Sequence, residues 1–442
     1  MSQKDWYVSN FKAFEKSLNG EASSPLHALR KAAIARFAEL GFPTTRDEEW
    51  KYTDVSPMTK SQFRPVFSCK ADGVTPDDIA SFNFGKLHCH RVVFVNGHFS
   101  KELSSIGELP GRVIIGSLAD AVKRTDRNVQ QYLTRYAPYE SNAFTALNTA
   151  FLQDGAFVSV PGGALLEIPV HILFVSTGME AEFISSPRNL IVAERNSQVS
   201  IIESHVSLSD NVYFTNSVSE IVLGENAVVE YDKLQIESSR AYHIGSTHIQ
   251  QERSSNFTSN AISLGGLLVR NNVSVVLDGE GAEATLNGLY LGTGVQHIDN
   301  HTTIDHAKPR CPSHELYKGI LSGKSRGVFN GKIKVRKDAQ KTDAKQTNKN
   351  LILSDEASVD TKPQLEIFAN DVKCTHGATI GQLDEEAIFY LRSRGVDVDR
   401  ARDLLIYAFA SDVVDRIKVE PLRDLLHEMI HARLEKERAI TP

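Results

Sequence analysis

Cys374 and His376 are the residues of this sequence whose types and spacing best suit metal chemistry. If the run 372–376 is a strand, both side chains point to the same face, because residues two apart share a face. Thiolate sulfur and imidazole nitrogen are the protein ligands that suit iron and sulfide species. Two ligands cannot complete a tetrahedral site, so the pair predicts half of one, completed by a partner subunit. The alternative is that Cys374 is a small buried residue and His376 an ordinary polar neighbour.

A second group of metal-ligating residue types is concentrated in the run 297–314. Strand alternation would place the first three of them on one face, but the close cysteine spacing typical of a structural zinc site is missing. A polar surface whose side chains bond neighbouring backbone is therefore favoured over a metal site, which stays open as the alternative. The candidate ligands are His297, Asp299, His301, Asp305, His306, Cys311 and His314.

Two short motifs resemble nucleotide-binding loops but have the wrong spacing or context. The run 319–325, GILSGKS, has three residues where a phosphate-binding loop has four between its first glycine and its Gly-Lys pair. The run 279–284, GEGAEA, matches a dinucleotide fingerprint but precedes a predicted strand, whereas that fold requires a helix. No G-x-S-x-G or H-E-x-x-H motif occurs. We therefore predict turns at both places and no self-contained catalytic centre.

The composition is that of an ordinary globular protein. Of the 442 residues, 41% are hydrophobic and 24% are charged, which favours neither a disordered chain nor a membrane protein. The net charge of −6 argues against nucleic acid as a partner, because phosphates attract basic patches. The first residues show no basic start followed by an apolar run, so we expect no secretory signal, and the cysteines have no paired spacing. We therefore expect a cytoplasmic protein in a reducing compartment, without a membrane span. The four cysteines are Cys69, Cys89, Cys311 and Cys374.

Helical patterns are predicted at both ends of the chain. In the N-terminal region, 1–85, Ser24 suits an N-cap, Pro25 the first helical position and Gly41 a helix end. In the C-terminal region, 381–442, Asp384 suits an N-cap and Gly395 a helix end. A broad apolar face follows in the run DLLIYAFASDVV. The C-terminal helices are expected to cap the preceding region, to serve as a docking platform, or both.

The region between them, 86–380, is predicted to be built from strands. Short runs rich in Val, Ile and Phe alternate with turns of Gly, Asn, Asp and Ser, and period-2 alternation is clear in VSIIESHVSL. Many short strands without helices indicate a sandwich, a barrel or a β-solenoid. Because no long polar break interrupts them, we favour a mainly β protein with a parallel β-helix over a large sandwich.

Several blocks of this sequence resemble the signature segments of the SufD family, in the family's order. They include GFPTTRDEEWKYTDV near the N-terminus and, nearly continuously over 299–414, DNHTTIDHAKPRCPSHELYKGIL, DAQKTDAKQTNKNLILS and VKCTHGATIGQLDEEAIFYLRSRG. The resemblance implies a right-handed parallel β-helix flanked by helical N-terminal and C-terminal regions. It also implies a scaffold for iron–sulfur cluster assembly, not an enzyme in itself.

The resemblance also implies partners and site residues. The family forms a complex with its paralogue SufB and with two copies of the ATPase SufC, which would dock on the helices within 384–417. The family's interface histidine maps onto His376 and its nearby cysteine onto Cys374, at the interface with SufB where a transient cluster or iron is shared. Reduced flavin is associated with the whole complex, although no flavin fingerprint occurs here. Without SufB, we expect a homodimer.

Two alternatives remain at this point. A chain of the SufB type would share the fold, but such chains carry further cysteine-centred stretches, whereas this sequence has four scattered cysteines. A solenoid enzyme acting on a polysaccharide would need an exposed pair of carboxylates, for which Asp299 and Asp305 are candidates.

Overall fold

The computed structural model describes residues 3–18, 24–68, 73–84, 87–179 and 182–440. Cys69 and the domain boundary expected at residues 85 and 86 lie outside the described residues. In the part of the chain that is described, no helix is long and apolar enough to cross a membrane.

Helices lie at both ends of the chain and in one internal segment. The Ser24 hydroxyl accepts a hydrogen bond from the backbone N–H of His27, and Gly41 follows the helix end at φ 65°, as their residue types predict. Three further helices lie between residues 118 and 150, where only strands were expected. The helices are α1 (Gln3–Ser17), α2 (Pro25–Leu40), α3 (Ser56–Thr59), α4 (Leu118–Lys123), α5 (Arg127–Tyr132), α6 (Ala143–Ala150), α7 (Glu385–Ser393), α8 (Val398–Val414) and α9 (Glu420–Ile440), with 3-10 turns at Glu48–Trp50 and Ala80–Phe82.

Strands make up most of the remainder. Their bounds are β1 (Arg64–Pro65), β2 (His90–Val95), β3 (His98–Ser105), β4 (Ile114–Ser117), β5 (Ala156–Val160), β6 (Val170–Ser176), β7 (Phe183–Ser185), β8 (Arg188–Ala193), β9 (Gln198–Ser207), β10 (Tyr213–Leu223), β11 (Val228–Ile236), β12 (Tyr242–Gln251), β13 (Asn256–Ser263), β14 (Leu268–Leu277), β15 (Glu283–Gly292), β16 (His297–His306), β17 (Pro312–Leu321), β18 (Arg326–Val335), β19 (Asp343–Ile352), β20 (Ser358–Ile367) and β21 (Lys373–Gly381).

From β8 onward, consecutive strands alternate between two parallel sheets. The first sheet ends in β18 and β20, and the second sheet ends in β19 and β21. Val228 pairs with Gln198 on one side and with Asn256 on the other, so one coil takes about 30 residues. The molecule is therefore a β-solenoid of about 7 turns between helical ends. The prediction of a parallel β-helix is confirmed, and the large sandwich is wrong.

The solenoid interior is a continuous core because strand alternation sends every second side chain inward. In the second sheet, Val199, Val229, Phe257 and Ala284 occupy the same register position on successive strands, and each is fully buried. Rows of this kind join one coil to the next without a gap.

Helices cover the outer faces of the two sheets. On the first sheet, Phe144 of α6 packs against Phe214, with ring centroids 6.1 Å apart. On the second sheet, Ile406 and Val413 of α8 join the cluster of Ile320. The C-terminal helices therefore lie along the side of the solenoid.

The last coil of the solenoid stays exposed. The side chains of Ile367 and Phe368, at the end of β20, are 40% and 61% exposed, and Ile380 of β21 is 54% exposed. No helix of the described chain packs across these two strands as a cap.

The motifs that resemble nucleotide-binding loops form strand-to-strand turns, as predicted. Residues 322–325 connect β17 directly to β18, and β15 begins within the run 279–284.

Gly279 lies very close to the preceding coil: a Cβ atom on Gly279 would overlap the backbone of Glu252 and Arg253, in the turn one coil earlier. The glycine allows adjacent coils to stack at this corner.

We expect Gly279→Ala to destabilise the protein by about 1–3 kcal/mol, because the added methyl group must push two coils apart. Chemical denaturation followed by circular dichroism measures the change. Gly116→Ala is the control, because a Cβ atom at Gly116 has open space around it. Equal stability of the two variants would contradict the close approach.

Candidate functional site

The predicted metal-ligand pair lies on the last strand of the second sheet. β21 pairs with β19 in parallel, so that Cys374 is opposite Ala344 and His376 is opposite Gln346. Residues two apart along a strand are separated by about 7 Å between their Cα atoms. No other strand in the described ranges pairs with β21. The pair therefore lies on an open sheet edge at the end of the solenoid.

The two side chains differ in their surroundings. Cys374 is partly buried and packs against the cluster of Ile333, Val335 and Ala344, whereas His376 is exposed. Burial raises the pKa of the Cys374 thiol, and nearby Asp343 adds to this effect against a backbone hydrogen bond from Ala344. The thiol is therefore protonated at neutral pH in the isolated chain. A cation that approaches it would favour the thiolate, which is the ligating form.

His376 ends an inward-facing row of polar residues. The register places Glu315 of β17, Gln346 of β19 and His376 at equivalent positions on successive strands. Gln346 Nε2 donates a hydrogen bond of 2.7 Å to Glu315 Oε2, while Oε1 of each side chain lacks a hydrogen-bond partner among the described residues. Burial raises the pKa of Glu315 to about 7.

The sequence analysis did not identify Glu315 and Gln346 as neighbours of His376. They lie about 60 and 30 residues, respectively, from His376 along the chain and become its neighbours only through the stacking of coils. The alternation of HELYKG indicates which face Glu315 occupies, but no local signal gives the register between coils.

The run 297–314 is divided between the two faces of the sheets. His297, Asp299 and His301 share the outward face of β16, as alternation predicts, whereas His306 points inward and bonds Ser313 Oγ at 3.0 Å. Cys311 is buried in a turn, where its thiol donates to Gly279 O.

The outward trio binds the N-terminal segment. Thr53 Oγ1 lies 2.8 Å from His297 Nε2 and 2.5 Å from Asp299 Oδ2, and Arg270 lies 2.8 Å from the same carboxylate oxygen. Although burial raises the pKa of Asp299, Arg270, His301 and Thr53 together bring it below the ordinary value. His297 and Asp299 thus hold Thr53 by hydrogen bonds, and Asp299 is itself held by a buried ion pair with Arg270. Within the described ranges, no group of three or more His, Cys, Asp or Glu residues has the geometry to hold a metal ion.

We expect Glu315→Gln to remove a pH-dependent loss of stability. The folded protein keeps the Glu315 proton up to a pH of about 7, whereas the unfolded chain loses it near the ordinary carboxyl pKa. The wild type should therefore lose stability relative to Glu315→Gln as the pH rises toward 7, at a rate on the order of 1 kcal/mol per pH unit. Urea denaturation between pH 5 and 8 measures the difference. The control is Glu356→Gln, because the Glu356 carboxylate is exposed. Parallel pH profiles of stability for all three proteins would exclude a raised pKa of Glu315.

Comparison with known proteins gives two family matches that together cover most of the chain. Residues 1–172 match the SufBD protein N-terminal region. Residues 174–409 match the SufBD core domain of SUF system FeS cluster assembly. The core match spans most of the solenoid and both Cys374 and His376.

Full-length relatives agree with the family matches. An iron–sulfur cluster assembly SufBD family protein of Synechocystis is 36% identical over 94% of this chain and 93% of its own. The iron–sulfur cluster assembly protein SufD of Escherichia coli is 33% identical over 91% of each chain. SufD of Bacillus subtilis is 28% identical over 76% of each chain. The chain belongs to the SufBD family of iron–sulfur cluster assembly proteins.

Proposed function

We propose that this chain is a non-catalytic scaffold subunit of the SufD type, acting in a complex with SufB and the ATPase SufC. It contributes His376, and with it Cys374, to an interface with SufB where the nascent cluster forms. The observation that carries the proposal is the position of this pair on a free strand edge at the end of the solenoid. Iron and sulfide are cargo at this interface, not a resident cofactor.

The open edge supports a partner that pairs with strands. The backbone N–H of Lys373 bonds Thr342 O, so the N–H groups of alternate residues, including Cys374 and His376, point away from β19. An unpaired strand edge is a template for another chain. Exposed Phe368 and Ile380 beside it add apolar surface that a second solenoid end would bury.

The pair supplies two donors and needs a partner for the rest. His376 offers an imidazole nitrogen at the surface, and Cys374 offers sulfur once its proton is lost. Because burial holds the Cys374 pKa above its ordinary value, the thiol is passive until a cation or a partner's charge approaches. A cysteine of SufB on the facing edge would complete a site for iron. Cluster release then remains under the control of the complex.

The C-terminal helices are the proposed platform for SufC, but the contact surface differs from the one that the sequence suggested. The apolar face of α8, with Ile406, Val413 and Val414, is already buried against the second sheet and α9. Phe389 and Tyr390 of α7 are 72% and 57% exposed. We therefore assign the docking contact to α7.

ATP-driven movement of SufC would shift the population of interface states and expose the site at His376. Reduced flavin would act in the full complex.

A polysaccharide-active enzyme lacks support from the candidate carboxylates. Asp299 is fully buried against Arg270, so it cannot reach a substrate. The carboxylate of Asp305 accepts hydrogen bonds from Nε and Nη2 of Arg336, each at 2.9 Å. An exposed pair of carboxylates, as glycoside hydrolysis requires, is therefore not formed by these two residues.

We expect His376→Ala to leave the complex with SufB and SufC intact and to lower its iron and sulfide content by about tenfold or more, because a ligand is removed. The measurement is co-purification of the three proteins from cells, followed by iron and sulfide analysis. Thr375→Ala is the matched control, because Thr375 is an exposed neighbour on the opposite face of β21. Cys374→Ala tests the thiol separately. Normal cluster content in the His376→Ala complex would refute the site assignment.

We expect the purified chain alone to form a homodimer through the end of the solenoid. Ile380→Lys should convert the dimer to a monomer, because it places a charge in the buried surface. Light scattering after size-exclusion chromatography measures the mass. Val295→Lys is the control, because Val295 is 66% exposed on a turn between β15 and β16, on the side of the solenoid. A monomeric wild type, or a dimer that survives Ile380→Lys, would contradict this arrangement.

A further inference from the structure

A cavity of about 520 Å³ lies between the outer face of the first sheet and the N-terminal region. Its floor is formed by polar residues of β14, β16 and β18, among them Asn272, Thr303 and Asn330. One wall is the segment Glu48–Trp50, and another is the start of α6. The volume is within the range of sites that hold small organic molecules. It is separate from the solenoid end that carries His376.

Asn330 is a polar group on this floor that lacks a hydrogen-bond partner for its amide oxygen among the described residues. Its side chain is 5% exposed, and its Oδ1 has no hydrogen-bond partner among the described residues. A buried amide oxygen without a partner costs on the order of 1–3 kcal/mol. Asn330 lines the cavity, and because the last torsion of asparagine is soft, rotation of its amide can present this oxygen to a ligand. A ligand hydroxyl would satisfy it.

Two basic side chains of the floor, His301 and Lys332, face a carboxylate at long distances. Glu49 Oε2 lies 3.5 Å from His301 Nδ1, and Glu49 Oε1 lies 3.6 Å from Lys332 Nζ. Both distances exceed those of a good hydrogen bond. The contact with His301, helped by Lys332, lowers the pKa of Glu49 to about 2 despite partial burial. The Glu49 side chain is 57% exposed, so it can move aside.

Of the remaining charges of the cavity wall, Glu48 and Arg270 are paired with opposite charges, whereas Asp47 keeps its negative charge. Glu48 pairs with Lys362, and Asp47 Oδ2 accepts hydrogen bonds from Thr44. Arg270 is held by Asp299 beneath the floor and lies 3.9 Å from the ring centre of Trp50. Lys332, whose other carboxylate neighbour Glu366 lies 3.8 Å away, and the Nδ1 edge of His301, whose Nε2 lies 3.1 Å from Asp299, are therefore the groups available to an incoming anion.

The N-terminus of α6 adds an electrostatic field that favours an anion in the cavity. Asn142 Oδ1 accepts the N–H groups of Phe144 and Thr145 at 3.0 Å, and Ala143 lines the cavity beside it. A helix N-terminus carries partial positive charge and favours oxyanions. It lies on the same cavity as Lys332 and His301.

We propose that this cavity binds a small organic phosphate with a hydroxyl-bearing body. The phosphate replaces the Glu49 carboxylate against His301 and Lys332, and a hydroxyl group donates to Asn330 Oδ1. Glu49 thus acts as an internal competitor that occupies the anion position when the ligand is absent. The proposal does not depend on the role of Cys374 and His376.

Ribose phosphate is a suitable probe, with ribose and inorganic phosphate as its two separated parts. Isothermal titration should show saturable binding of ribose phosphate and much weaker binding of either part. Trp50, which lines the cavity, should report the same event as a change in tryptophan fluorescence. If inorganic phosphate binds as tightly as ribose phosphate, the proposed contribution of the hydroxyl-bearing body is wrong. If ribose phosphate shows no saturable binding, the proposed site is wrong.

Variants locate the site. Lys332→Met should weaken ribose phosphate binding about tenfold, as loss of one charge-assisted hydrogen bond does, and Asn330→Leu should also weaken it. Glu49→Gln should tighten it, because the competing charge is gone. Lys334→Met is the matched control: Lys334 shares the outward face of β18 but contacts Asp305 outside the cavity. Equal losses with Lys332→Met and Lys334→Met, or unchanged affinity in Glu49→Gln, would overturn the proposal. Thermal unfolding verifies that each variant is folded.

Discussion

The parallel hydrogen-bonded register between coils is the constraint on which the rest of the structure depends. Each strand from β8 to β19 bonds a neighbour on both sides, so its backbone polar groups are paired within the solenoid. At the N-terminal end, the antiparallel strands β3 and β4 terminate the sheets. At the C-terminal end, β20 and β21 follow the same register but meet no further strand of the described chain. A free edge is the direct consequence.

The same register decides which side chains meet inside the solenoid. Glu203 is fully buried, yet its Oε2 accepts hydrogen bonds from Asn189, Ser219 and Tyr231, which come from three other strands. A buried carboxylate is tolerable only when its oxygens are bonded in this way. Polar rows are thus part of the interior, and the row of Glu315 and Gln346 continues to the surface at His376. The exposed histidine is the last position of an internal row.

The N-terminal segment is fixed by the outer face of the first sheet. Thr53 bonds Asp299, and Trp50 stacks on Arg270, which itself pairs with Asp299. The histidine-rich run therefore anchors the N-terminal segment, and this segment forms the wall of the cavity at Glu49. A segment from the start of the chain and two strands from its second half, β14 and β16, therefore share one buried network. The network fixes the N-terminal region against the outer face of the first sheet.

Local sequence patterns by themselves determined the strands, the caps and the turns. Period-2 alternation placed Cys374 and His376 on one face, Ser24 and Asp384 cap helices as their residue types predict, and GEGAEA is a turn. The family resemblance added the expected partners and the expected role of His376. Helices α4 to α6 escaped prediction because they are short and are stabilised by packing against the sheet. Only the tertiary structure decided that Glu315 and Gln346 align with His376, and that Asp299 is buried while His376 is exposed. The physical reason is that one coil takes about 30 residues and its register is set by contacts between coils, which no local pattern encodes.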